Sequence, residues 1–240
     1  MFDDILSVVW KERKSQFRVR GSRLRFLMML FSPLLLGTVF PITWGPEWLV
    51  QLPPLVVATI TSVILVAVMV PESIAGERER HTLETLLASR LPDRAILLGK
   101  LLVPVAVGVG AALLANLCSL IVVNVAHWQG KILFFSPPIA LGSLALSFLM
   151  ALLTAGAGVF VSLRVATAQE AAQLLMGIFL VPIMLIQVVA FVFVSQLSGV
   201  IKTLDGRQML LIVLGVLAVA DVVVVALAIS RFQRSRLSFD

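Results

Sequence analysis

The chain has 240 residues, 60% of them hydrophobic and only 13% charged, with a mean hydropathy of +1.06 and a net charge of +6. A soluble domain carries about a quarter charged residues, so a soluble globular fold is excluded. The lack of short, strictly alternating apolar/polar stretches excludes a transmembrane β-barrel. What remains is an all-α polytopic membrane protein, each of whose spanning helices needs about 20 apolar residues.

Residues 1–22 are polar and basic, with Lys11, Arg13, Lys14, Arg18 and Arg20. Ile5, Leu6, Val9, Trp10 and Phe17 among them can form one apolar stripe. This pattern predicts an interfacial amphipathic helix, with Trp10 in the headgroup layer and Lys11, Arg13 and Lys14 facing anionic lipid. A six-helix transmembrane domain is expected over 23–230, with spans near 24–42, 52–71, 95–126, 139–163, 171–194 and 209–230. The first span is expected to break near Pro33 and close at Pro41. Trp44 and Trp48, in the loop that follows, suit a membrane interface. Asp93 after Pro92 is a candidate N-cap for the third span, and a basic tail occupies 231–240.

Between spans two and three the composition changes. Glu77, Arg78, Glu79 and Arg80 stand in a row, followed by Glu84, Arg90, Asp93 and Arg94. Leu83, Leu86, Leu87 and Leu91 recur three and four apart, the period of one helix face. A short amphipathic helix outside the lipid is therefore expected over 76–91.

Sixteen of the 19 Lys and Arg residues lie at the termini, in the charged segment through Lys100, or at Arg164; only Lys131, Lys202 and Arg207 fall on the other side. Positive residues stay cytosolic, which puts both termini and the charged segment in the cytosol. The basic balance is thus an orientation signal, not a nucleic-acid footprint. The single Cys118 leaves no internal disulfide.

Sites of chemistry are few. No G-x-x-x-x-G-K-[ST] phosphate loop and no G-x-S-x-G elbow occurs, and His81 and His127 fall at opposite membrane faces, so no metal site is expected. No catalytic residue is assigned. Asn116, Gln187 and Asp221 lie inside spans: Asn116 and Gln187 either bond helix to helix or line a path, and Asp221 is either a substrate or proton contact or a protonated or hydrogen-bonded packing residue.

The segment Gly76-Glu77-Arg78-Glu79-Arg80-His81-Thr82-Leu83-Glu84-Thr85-Leu86-Leu87, followed by Leu91-Pro92-Asp93 and Ile96-Leu97-Leu98-Gly99-Lys100, resembles the permease subunit of ABC-2 type ATP-binding-cassette exporters. The family pattern there is E-(R/K)-E-x-G-T-L-E-x-L-L, then a proline turn and I-L-x-G-K. His81 stands where the family most often has glycine, and a helical residue is expected to fit equally well. The resemblance implies a coupling helix that contacts a separate cytosolic ATPase through Glu77, Arg78, Glu79, Arg80, Thr82, Leu83, Glu84, Leu86 and Leu87. It implies two ATPase copies, a second permease half (a homodimer or a related subunit), and ATP and Mg bound by the ATPase rather than by this chain. It also implies a multi-pass protein of the cell membrane that moves substrate outward. The apolar interior favours a hydrophobic or amphipathic substrate. The alternative is a non-transporting scaffold that docks a cytosolic ATPase in an assembly or maturation machine.

Overall fold

The computed structural model describes residues 2–18, 22–82, 90–201 and 206–231, with side chains for 3–15, 31, 34–82, 90–185, 208 and 210–230. Among the described residues the chain is predominantly helical and has no strand. The helices are α1 (Phe2–Arg18), α2 (Ser22–Trp44), α3 (Pro53–Glu79), α4 (Asp93–Ala126), α5 (Pro137–Ser162), α6 (Ala168–Ile201) and α7 (Gly206–Arg231). A 3₁₀ turn, Gly45–Leu49, joins α2 to α3.

Five of these are long and apolar enough to cross a membrane: α3, α4, α5, α6 through Leu185, and α7 over Leu210–Ser230. The first expected span coincides with α2, most of whose first half lies outside the described side chains. Starts follow ordinary helix chemistry. Pro53–Pro54 and Pro137–Pro138 fill the first positions of α3 and α5, where a missing N–H costs nothing.

The structure differs from the sequence expectation at several boundaries. α2 runs unbroken through Pro33 and ends three residues beyond Pro41. Proline inside a membrane helix is tolerated because neighbouring groups satisfy the freed backbone, and Pro71, Pro104 and Pro182 are likewise interior. Pro92 takes the N-cap position of α4, so Asp93 stands inside its first turn. Trp48 is buried within the protein; it stacks with Phe40 and meets Trp44 edge-on. The helix expected over 76–91 is not found with those bounds. Gly76–Glu79 are the last turn of α3, Arg80–Thr82 leave the helix, and Arg90–Pro92 are non-helical. Residues 83–89, which carry Leu83, Glu84, Leu86 and Leu87, lie outside the described residues.

α3 is the central helix, packed by α2, α4, α5 and α6. In its apolar window 72% of residues are buried, against 6% in α7. Val66 and Val70 of α3 meet Ile96, Leu97, Leu101 and Val105 of α4 and Ala151, Ala155 and Val159 of α5 in one core. Lipid tails are as apolar as these side chains, so close packing, not the hydrophobic effect, selects this arrangement. α7 is held mainly by α5. Leu210 lies over Gly142 and Val224 over Gly156, where an added Cβ would sit 2.8 and 2.6 Å from them. The two contacts are equally spaced along both helices, so α5 and α7 run parallel in a fixed register.

Candidate functional site

The last two turns of α3 gather the chain's charge. Lys100 of α4 is fully buried (0% exposed), and its Nζ donates to Glu12 Oε1 of α1 at 3.0 Å and to Glu77 Oε2 of α3 at 2.7 Å. It also donates to the Ser73 carbonyl. Glu12 and Glu77 are themselves 2% and 8% exposed. Lys11 donates to the second oxygen of Glu77 and lies 3.5 Å from Glu12. Two cations thus face two carboxylates, a balanced cluster. A buried charge is tolerable only with this degree of pairing and hydrogen bonding.

The cluster ties three helices together. α1 reaches it because Ile5, Val8 and Glu12 share one face, turned towards α4, and Val8 is buried there. The close approach needs Gly99: a Cβ at that position would come 2.6 Å from Val8 Cβ and Cγ1. The opposite face carries Leu6 and Trp10, both exposed, with Lys14 Nζ 4.6 Å over the Trp10 ring, an exposed cation–π contact. The single apolar stripe expected for this helix is therefore two faces. Lys11, expected to face lipid, is instead turned to Glu77; Arg13 and Lys14 are exposed.

Arg78 and Glu79 extend the same helix end to α6. Arg78 donates to the Val165 carbonyl in the turn before α6, and Glu79 accepts the Ala168 N–H at the helix start. Thr167 Oγ1 accepts the Glu170 N–H at 3.1 Å, completing the N-terminal cap of α6. Arg80 is exposed and ion-paired with Glu72. Glu77, expected as an ATPase contact, is instead spent inside the chain because its carboxylate is needed by Lys100.

α3 ends in a Schellman motif. The Thr82 N–H donates to the Glu77 carbonyl at 2.9 Å and the His81 N–H to the Arg78 carbonyl at 3.0 Å. His81 accordingly has φ 54°, the left-handed conformation that glycine adopts without penalty. The expectation that any helical residue suits this position fails here, and the glycine of the family pattern gains a physical reason.

Of the intramembrane candidates, Asn116 Nδ2 donates to Ser143 Oγ at 2.9 Å, an α4–α5 bond. The Gln187 side chain lies outside the described residues. Asp221 is buried on α7 without a hydrogen-bond partner among the described residues. Sequence reasoning missed Glu12 and assigned Lys100 no role. The available signal was a lysine opening the apolar run of α4, which must find a partner if buried.

Comparison with curated proteins yields no match. Residues 3–189, from α1 well into α6, match the model of the family described as ABC-2 type transporter, and the chain belongs to that family.

Proposed function

We propose that this chain is the membrane half of an ATP-driven exporter, moving a hydrophobic or amphipathic substrate by alternating access powered by a separate ATPase. The family supplies the non-catalytic membrane component of an ABC transporter and associates with a cytosolic ATPase. On this reading α2 is a sixth span, both termini and the charged end are cytosolic in the cell membrane, and two such chains or a related pair carry two ATPases.

One observation carries the reading. The end of α3 is bonded to α1, α4 and the start of α6, and the chain leaves it through exposed Arg80, His81 and Thr82 towards the segment 83–89. A partner gripping Arg80–Arg90, chiefly through Thr82, Leu83, Glu84, Leu86 and Leu87, would move α3 together with α1, α4 and the start of α6 as a rigid body. Arg78 and Glu79 act from behind this contact, holding α6 to it.

The test is a detergent pull-down of the chain co-expressed with its cognate ATPase, comparing wild type with Glu84→Lys and reading ATP hydrolysis on the eluate. Recovery of ATPase with wild type and its loss in the variant is the expected result. Equal recovery with both would remove the docking assignment. Recovery with neither would overturn the proposal, and recovery with wild type of an ATPase whose hydrolysis does not respond to any small molecule would favour the scaffold reading.

A further inference from the structure

Between Arg207 and Arg231, α7 carries one ionisable residue, Asp221. Its side chain is 3% exposed, and neither carboxylate oxygen has a hydrogen-bond partner among the described residues. Asp221 belongs to the stripe of α7 turned to α5, along with Leu210, Val224 and Ala228, whereas Val219, Val222 and Val223 are exposed. It stands one turn before Val224, and so, in the parallel register, level with the α5 turn that precedes Gly156. Among the described residues no charge on α5 or α6 faces it. α5 has no ionisable residue from Pro137 to Ser162, and in α6 the sole one is Glu170, exposed in the first turn.

An ionised carboxylate in an apolar helix seam without a partner is far costlier than the neutral acid. Lys100 shows what this chain does where a buried charge is kept: it supplies three acceptors. Asp221 receives no donor among the described residues. We propose that Asp221 is a proton-binding site of the α5–α7 seam. It holds its proton while α7 is packed on α5, and losing that proton to water entering the seam loosens α7. The ligand is the proton itself, and the inference does not depend on the exporter reading.

A proton kept in the packed seam and given up when the seam opens makes the stability of wild type depend on pH where that of a variant unable to ionise does not. The test compares apparent unfolding midpoints of the detergent-solubilised wild type and Asp221→Asn between about pH 4 and about pH 8. Asn keeps the shape of the neutral acid and cannot ionise. Between the ordinary carboxylate range and the pH at which the packed site gives up its proton, wild type should lose up to about tenfold in its folding equilibrium per pH unit relative to the variant, and the difference should level off above it. That corresponds to roughly 3–5 °C per unit for a chain of this size. Superimposable profiles would overturn the proposal. Should the variant fail to fold, wild type treated at low pH with dicyclohexylcarbodiimide, which attacks protonated carboxyls in apolar surroundings, decides. An adduct on the Asp221 peptide supports the site, and an unlabelled peptide overturns it.

Discussion

Lys100 and Asp221 are both buried ionisable groups in membrane-protein helices, and their surroundings are opposite. Lys100 sits on the most enclosed part of the fold, between α1, α3 and α4, with two carboxylates and a carbonyl around it. Asp221 sits on the least enclosed helix, with no partner among the described residues. Burial alone therefore does not define a role. A paired charge is a cross-link whose loss leaves its partners stranded, whereas an unpaired one is a group that must lose its charge.

The sharpest way to break this contrast is Lys100→Met. It leaves Glu12 and Glu77 buried with only half-exposed Lys11 nearby, and removing one member of a buried ion pair costs about 3–5 kcal/mol. The apparent unfolding midpoint should fall by roughly 10 °C or more; an unchanged midpoint would show that the cluster is not a cross-link. Gly99→Val attacks the same joint sterically. Overpacking against Val8 should cost about 1–3 kcal/mol and speed proteolytic cleavage of residues 1–22, with Val8→Ala partly restoring protection.

His81→Gly tests the end of α3. Relieving a left-handed non-glycine residue should stabilise by about 1 kcal/mol, a rise of roughly 2–4 °C in the midpoint. No rise would mean that the turn is not under backbone strain. Smallest of all is Asp221→Asn at low pH, where variant and wild type should unfold together if the acid is neutral. A large loss there would place Asp221 with Lys100 as a charged, partnered group.

The helices were legible because long apolar runs separated by polar segments leave few alternatives. Prolines misled: Pro33 reads as a break, yet α2 continues, since a bundle supplies partners that an isolated helix lacks. The helix between spans two and three was drawn too early because Glu77–Glu79 look like surface residues. Only Glu77 is buried, and its burial follows from Lys100, 23 residues further on, which also holds Glu12, 88 residues before that lysine; Arg78 is half-buried and Glu79 exposed. Sequence periodicity reports one helix at a time and carries no such pairing. His81 hid the end of α3 for a related reason, because the expected glycine signal was absent. Asp221 was visible as an isolated charge, but its lack of a partner needed the fold.

The account rests on Lys100 joining α1 to the rest of the chain, and a double-mutant cycle over Glu12→Gln and Lys100→Gln measures that joint most directly. With unfolding free energies taken for wild type, both single variants and the double variant, the account predicts a coupling of about 1–3 kcal/mol, the double variant losing less than the sum of the singles. Effects that add within about 0.5 kcal/mol would contradict it.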